Sequence, residues 1–231
     1  MVNFKRVLRA ATMAAGLGSI AAGQAAAQNT YAFAFGGIIL DGKQDADGLI
    51  GGAAQSVDTQ YGNDFQFGIG VGRNFGKIGN GKIGLRGEIE LSYSDAGADT
   101  IAFSGNGPAN EVNVSGGLQS TTLFANIFAD FQTNSPLTPF VGAGVGIGRF
   151  SQDLVYGPGV QVNESDTAFG AQLIAGVAWA ATDRVTLTAD ARYREFYGVD
   201  SKRFAPTGAS TGVVSGDVSA FSVNFGARIA F

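Results

Sequence analysis

Apolar and polar residues alternate along the end of the chain, over residues 219–231. One face of this segment carries Phe221, Val223, Phe225, Ala227, Ile229 and Phe231, and the other carries Ser222, Asn224, Gly226 and Arg228. A period of two is that of a β-strand, whose successive side chains point to opposite faces. The edge of a soluble sandwich also shows such alternation, but here it runs to the aromatic residue at the carboxy-terminus. The segment therefore predicts a strand with one face toward lipid.

Segments of this kind recur along the chain. They are predicted near residues 31–40, 64–75, 82–94, 121–132, 138–150, 167–180, 184–197 and 218–231. Each is long enough to cross a bilayer, which takes roughly 9 to 11 residues of a tilted strand. The sequence therefore predicts an all-β fold, a transmembrane antiparallel up-and-down β-barrel of about eight strands.

The connections between these segments alternate in length. Short connections are predicted at 76–81, 133–137 and 181–183, and long ones at 41–63, 95–120, 151–166 and 198–217. Short turns of outer-membrane barrels lie on the periplasmic side and long loops outside the cell. This alternation of short and long connections favours a barrel over a soluble meander, in which long loops need not lie at one end.

Aromatic residues fall at two depths of the predicted lipid face. Phe75, Phe131, Trp179 and Phe231 lie at periplasmic strand ends, and Phe65, Tyr93, Phe169, Tyr197 and Phe221 lie at external ends. Between them the face is apolar, as at Leu85 and Ile89. Two aromatic girdles around an apolar band are typical of a membrane-spanning barrel.

The opposite strand face places charged residues of both signs in the barrel interior. The predicted lumenal charge network consists of Arg86, Glu88, Glu90, Asp130, Asp190, Arg192, Arg194 and Arg228, beside Gln66, Asn126, Gln172 and Asn224. Buried charges must pair, and an eight-stranded interior is only wide enough for side chains to fill. The network is interpreted first as a salt-bridged plug and second as a gate that admits small ions.

The start of the chain has the composition of an export signal. Lys5, Arg6 and Arg9 precede a short Ala/Gly-rich apolar run and the small residues 25–27, which predicts a cleaved signal peptide over 1–27 and a barrel domain over 28–231. Removing three basic residues from 15 leaves 12 against 19 acidic ones, a net charge of about −7. So acidic a protein is not expected to bind nucleic acid.

The chain contains no histidine and no cysteine. A Ser–His or Cys–His nucleophilic pair is therefore impossible, and no catalytic residue is predicted. Glu88 and Glu90 share a strand face, but Arg86 beside them favours an ion pair over acid/base chemistry. No cofactor or metal site is predicted, because only oxygen ligands remain and the acidic residues do not have the spacing of a calcium loop.

The terminal strand ending at Phe231, the strand count and the loop parity resemble those of small Gram-negative outer-membrane barrels. The similarity is to the OmpA-barrel, OmpX and Omp25/Omp31-like porin family, and it covers residues 28–231. It implies an integral protein of the bacterial outer membrane that contacts lipid and lipopolysaccharide and is inserted by the barrel assembly machinery.

Two roles are compatible with such a barrel. The first is structural and adhesin-like, with an unidentified external ligand bound at the long loops, because loops on a rigid scaffold commonly carry binding function. The alternative is a narrow, gated, porin-like channel for ions or small solutes.

The resemblance gives Phe231 the role of an assembly signal, which predicts a defect in the Phe231→Ser variant. We expect less folded, heat-modifiable protein in isolated outer membranes, measured by electrophoresis with and without boiling. Phe225→Ser, on the same strand face but within the strand, is the matched control. Normal assembly of the Phe231 variant would contradict the prediction.

Overall fold

The computed structural model describes residues 29–62, 64–105, 112–157 and 159–231. Nine strands make up nearly all of this part of the chain: β1 (Thr30–Ile50), β2 (Ala53–Tyr61), β3 (Asp64–Ile78), β4 (Ile83–Gly105), β5 (Ser115–Phe131), β6 (Leu137–Tyr156), β7 (Val160–Ala180), β8 (Val185–Phe204) and β9 (Ser210–Ala230). Across these residues no helix has the length and apolar character to span a membrane. The predicted signal peptide lies outside the described residues.

All neighbouring strands pair antiparallel, and the sheet closes on itself through β1 and β9. This closing ladder begins at Tyr31 and Ala230 and runs to Ile50 and Gly212, almost the full length of β1. A closed ring leaves no sheet edge, so backbone groups are satisfied by neighbouring strands. The predicted up-and-down barrel is confirmed.

Two of the nine strands occupy one position in the wall. The lower part of β1 pairs with β3 and its upper part with β2, and both β2 and β3 pair with β4 on their other side. β2 and β3 therefore lie end to end, and the ring has eight wall positions. This agrees with the predicted number of about eight strands.

Large apolar side chains cover the outside of the barrel over the predicted membrane band. Ile89, Val145 and Leu173 are each more than half exposed, although a soluble protein would bury such residues. Exposed aromatic residues border this band at the predicted depths, including Phe75 and Trp179 at the short-turn end and Phe169 and Tyr197 at the other. The structure thus confirms the predicted lipid face.

The prediction of four long external loops is wrong. β1 and β2 meet in a turn at Gly51 and Gly52, β6 and β7 are joined at 157–159, and β8 and β9 at 205–209. Between β4 and β5 the connection is 106–114, of which 106–111 are not described. The strands instead continue about ten residues past the outer girdle, because alternation persists there with Gln, Thr, Asp and Gly in place of large apolar residues.

The short turns at the other end lie where the sequence places them. Strands are joined there at 79–82, 132–136 and 181–184. At about 3.3 Å per residue and a tilt near 40°, the extended wall rises roughly 25 Å beyond the membrane. The barrel is therefore a tall cylinder of which only the lower part is surrounded by lipid.

The register predicts how a charge on the lipid face affects folding. Ile89 is 51% exposed in the middle of the apolar band of β4, so Ile89→Arg should lower the free energy of unfolding by roughly 2 to 4 kcal/mol. Leu85→Arg, nearer the short-turn end, should cost less, and Thr121→Arg, at the outer girdle, about 1 kcal/mol or less. Urea titration in lipid vesicles measures the three values, and equal losses at all depths would contradict the assigned membrane position.

Candidate functional site

The barrel interior is the candidate functional site, because the polar strand faces converge there. All eight charged residues of the predicted network point inward. They form two groups at different heights, which we call the inner cluster (Arg86, Glu88, Asp130 and Arg228) and the central cluster (Glu90, Asp190, Arg192 and Arg194). Each group contains two arginines and two carboxylates, so each is formally neutral.

The inner cluster lies near the short turns and is centred on Arg86. This side chain pairs with Glu88, its neighbour on the same face of β4, and its Nε lies 3.0 Å from a carboxylate oxygen of Asp130 on β5. Tyr31 donates a hydrogen bond of 2.6 Å to Glu88, whereas Arg228 is 3.8 Å from Glu88 and is held only loosely.

Aromatic rings support the cations of the inner cluster. The guanidinium carbon of Arg86 lies 3.6 Å from the ring centre of Phe128 and 5.0 Å from that of Phe140. The ring of Phe140 is also 5.0 Å from the guanidinium of Arg228. Cation–π contacts are strongest where the cation is shielded from water, as here.

The central cluster crosses the barrel from wall to wall. Glu90 on β4 is fully buried and accepts from Arg192 at 2.6 Å and from Arg194 at 2.7 Å, both on β8. Arg192 also pairs with Asp190 at 2.6 Å. β4 and β8 are four positions apart in a ring of eight, so these ion pairs span the full diameter of the lumen.

Side-chain amides complete the hydrogen bonding of the central cluster. Arg194 donates to Gln172 at 2.9 Å and to Gln66 at 3.1 Å, while Asn224 donates to Asp190 at 3.1 Å and Gln172 donates to Asn126 at 2.7 Å. A buried charge is tolerated only where such partners are present. These four amides are the uncharged lumenal residues that the alternation predicts.

Glycine provides room for large side chains in the lumen. A Cβ atom at Gly142 would collide with the ring of Phe128, the ring on which Arg86 rests, and one at Gly72 would collide with Tyr31. The glycines of β3 and β6 therefore make space mainly for aromatic rings, which in turn carry the arginines.

A third polar group, which we call the outer polar layer, lies above the membrane band. Gln44 accepts hydrogen bonds from Tyr61 at 3.1 Å and from Gln152 at 2.5 Å, and it donates to Ser201 at 3.1 Å. Ser201 donates in turn to Gln152 at 2.6 Å. Burial raises the pKa of Tyr61, so the phenol remains a donor, and the layer joins β1 to β6 on opposite sides of the ring.

The sequence-based reasoning missed the outer polar layer because its residues fall in predicted loops. The signal was available, since Gln44, Ala46 and Ile50 on β1 and Gln152 and Leu154 on β6 keep the same spacing of two as the strands below them. The polar, glycine-rich composition of these segments led to their prediction as loops despite that period.

Apolar residues fill the space between the central cluster and the outer polar layer. This apolar cluster comprises Tyr61, Ala96, Leu118, Phe124, Phe150, Ala168, Phe196, Val199 and Val218. It borders a small cavity whose lining also includes Arg194 and Gln66. The interior is thus layered along its axis, with polar and apolar levels in alternation.

At the central cluster, buried charged side chains from opposite walls of the lumen meet and pair. A second small polar cavity lies between the inner and central clusters, beside Glu88, Asp190 and Arg228. Among the described residues, no three acidic side chains converge as metal ligands do.

Comparison with known families and proteins gives a match over the middle of the chain. The family model described as Opacity family porin protein matches residues 93–216. Outer membrane protein PagN of Salmonella typhimurium is 27% identical over 159 residues, which are 64% of this chain and 63% of that protein. The chain therefore spans less than two thirds of the length of this relative.

Solved outer-membrane barrels share the fold at low sequence identity. OprG from Pseudomonas aeruginosa superposes with a TM-score of 0.58 at 13% identity, covering 88% of this chain and 97% of its own. The outer membrane protease OmpT from Escherichia coli superposes with a TM-score of 0.52 at 8% identity, covering 89% and 97%. At such identities the likeness concerns the fold alone.

The central cluster predicts a large effect of removing its shared carboxylate. Glu90→Gln leaves two buried guanidinium groups with one carboxylate between them, and the free energy of unfolding should fall by about 3 to 5 kcal/mol. Asp41→Asn, which removes one partner of the exposed Lys43–Asp41 pair at 3.2 Å, should change it by about 0.5 kcal/mol or less. Urea unfolding in vesicles measures both variants, and a similar small loss in each would contradict a diameter-spanning ion pair.

Proposed function

The chain belongs to the Opacity porin family of outer-membrane barrels, and from this premise we propose that it is a structural and adhesin-like protein of the bacterial cell surface. In this proposal the lower barrel anchors the protein in the outer membrane, and the wall beyond the membrane contacts an external surface. Lipid, lipopolysaccharide and the barrel assembly machinery are its proposed envelope partners, and the external ligand is unidentified.

The observation that carries the proposal is the continuation of the wall beyond the outer girdle. On β1 the outward side chains from Asp41 to Leu49 stand above the membrane band, and they are exposed at every second position. The wall presents these residues on paired strands, so their positions are already ordered before a partner binds. Such preorganisation lowers the entropy cost of association.

The tip of the wall carries an apolar contact surface. Leu49 on β1 and Val213 on β9 are register partners, and they are 59% and 41% exposed. Both lie far above the lipid band, where an apolar side chain gains nothing from the membrane. Exposed apolar residues in such a place are suited to contact with another surface, and we propose that this pair, called the tip pair, takes part in adhesion.

Catalysis is not part of the proposed function. The chain has neither histidine nor cysteine, which removes the usual activated nucleophiles. The paired carboxylates Glu88 and Glu90 are engaged by arginines. The lumenal groups are therefore proposed to hold the barrel together.

A gated channel is the second candidate, and the polar cavity between the inner and central clusters is the observation that favours it. Arg228 borders this cavity, and its carboxylate partner Glu88 is 3.8 Å away. Arg192 has carboxylate partners at 2.6 Å, so Arg228 has more freedom to rearrange. Passage of an ion would still require the pairs between Glu90 and the β8 arginines to separate. The closed geometry therefore favours the adhesive role.

The adhesive role predicts a gain of binding when a non-adherent laboratory strain displays the protein. Adhesion to cultured epithelial cells and cell–cell aggregation should rise several-fold over the empty vector, and Leu49→Ser with Val213→Ser should remove most of the gain. Leu173→Ser, which replaces an exposed residue inside the lipid band, is the control. It should leave adhesion unchanged when the variants are compared at equal amounts of protein on the cell surface.

Planar-bilayer recording of the purified barrel distinguishes the two candidates. The adhesive role predicts a silent bilayer for the wild-type protein and unchanged silence for Arg192→Ala, provided that this variant remains folded. Discrete openings altered by Arg192→Ala, together with adhesion no higher than the vector, would replace the adhesive role by the channel.

A further inference from the structure

One lipid-facing position near the short turns carries a cation. Gly72 on β3 faces the lumen, so Val71 and Arg73 on either side of it face outward. Arg73 comes two residues before Phe75 of the aromatic girdle at the short-turn end, which we call the inner girdle. Within the described part of the chain, the exposed guanidinium of Arg73 has no ion pair, hydrogen bond or ring contact. A cation in this place requires an anionic partner, which the phosphate groups at the membrane border can supply.

A bulge beside Arg73 opens a recess in the wall. The register between β3 and β4 shifts between Asn74 and Gly76, and Gly76 has a positive φ of 117°. A Cβ atom at Gly87, the register partner of Arg73, would lie 2.9 Å from the ring of Phe75, so the bulge places this ring sideways against β4. A Cβ atom at Gly76 would meet no other atom within 4 Å. The surface between Arg73 and the short turn is therefore open, with an aromatic ring at its side.

Two lysines lie on the turn side of this recess. Lys77 is exposed near the end of β3, and Lys82, also exposed, comes directly before β4. The turn between them is tight, with a positive φ at each of residues 79–81. No acidic residue occurs over 73–87. The two lysines and Arg73, which we call the basic corner, therefore place three cations and no carboxylate in this stretch of chain.

The other two short turns carry no net charge. The turn after β5 contains no charged side chain, and in the turn after β7 the charges of Asp183 and Arg184 cancel. Asp130 on β5 faces the lumen and pairs with Arg86. Positive charge on the short turns is thus concentrated on one side of the ring, at β3 and β4.

Apolar side chains cover the wall on the membrane side of the recess. Val71, Ile89 and Ile127 are exposed on β3, β4 and β5. Ile89 is the register partner of Val71, and Ile127 is the register partner of Gly87, so the three residues form one surface beside Arg73. A molecule with an anionic head and apolar chains can place its head in the recess and its chains along this surface.

We propose that the basic corner binds an anionic phospholipid of the periplasmic leaflet, with the lipid phosphate held by Arg73. A planar guanidinium can bind phosphate through two N–H groups at once. Lys77 and Lys82 attract a headgroup with net negative charge and repel the ammonium of a zwitterionic one. Phosphatidylglycerol represents the first class of headgroup, and phosphatidylcholine represents the second.

Lipid selectivity is measured by fluorescence quenching with brominated phosphatidylglycerol. The chain has one tryptophan, Trp179, so a reporter protein with Phe75→Trp and Trp179→Phe has its single indole at the basic corner. Quenching in phosphatidylcholine vesicles with increasing fractions of the brominated lipid gives the affinity of phosphatidylglycerol relative to phosphatidylcholine. We expect a ratio of about five or more, the factor that one cation near an anionic surface provides. A ratio of one overturns the proposal.

The unmodified protein is the matched control, because Trp179 lies on the opposite side of the barrel. Trp179 is exposed at the inner girdle on β7, which is four positions from β3 in the ring of eight. Since the adjoining turn is formally neutral, the affinity ratio at Trp179 should be close to one. A ratio as high as that of the reporter protein would mean that the whole rim attracts anionic lipid, which overturns a site at β3 and β4.

The role of Arg73 is tested in the reporter protein. Arg73→Gln should remove most of the preference for phosphatidylglycerol, whereas Arg73→Lys should retain part of it because the charge remains. Lys43→Gln, in the wall beyond the membrane, is the control and should leave the ratio unchanged. Heat-modifiable migration verifies that each variant is folded. An unchanged ratio in folded Arg73→Gln overturns the assignment of the phosphate to Arg73.

Native mass spectrometry counts the bound lipid. Wild-type protein released from nanodiscs that contain phosphatidylglycerol and phosphatidylcholine in equal amounts should retain a single phosphatidylglycerol molecule, and Arg73→Gln should retain none. Retention of this lipid by the variant, or equal retention of the two lipids by the wild-type protein, refutes the site. Neither measurement involves adhesion or conductance, so the proposed function and this site can fail separately.

Discussion

Closure of the backbone ladder between β1 and β9 is the constraint on which the rest of the structure depends. Hydrocarbon offers no hydrogen bonds, so the sheet has to satisfy its own N–H and C=O groups by forming a ring. A ring of eight positions brings opposite walls close enough for Glu90 to reach Arg192 and Arg194. The diameter set by backbone pairing thus decides that charged side chains meet across the lumen.

Once opposite walls meet, the interior is organised by the cost of burying charge. Each arginine needs a carboxylate, an amide or an aromatic ring, and the inner and central clusters provide all three. Large rings require space, which glycines such as Gly142 supply on the neighbouring strand. Toward the outer end of the barrel the same inward face becomes apolar around Phe150 and Phe196.

The period-two pattern was sufficient to predict the barrel, its lipid face and the side of the wall on which each lumenal charge lies. It could not pair Glu90 with β8, because contacts across a ring depend on how many strands separate the two residues and on their stagger. The loops were predicted wrongly at 41–63 and 151–166 because polar composition was given more weight than alternation.

The extended wall has a consequence for how such a surface can diversify. Along residues 42–61 the inward positions Gln44, Ala46, Val57 and Thr59 pack inside the cylinder, while their immediate neighbours face solvent. Substitutions that change the outer surface without disturbing the cylinder are therefore confined to every second residue. The positions free to change form stripes along the strands, and each is held in place by two neighbours whose side chains pack inside.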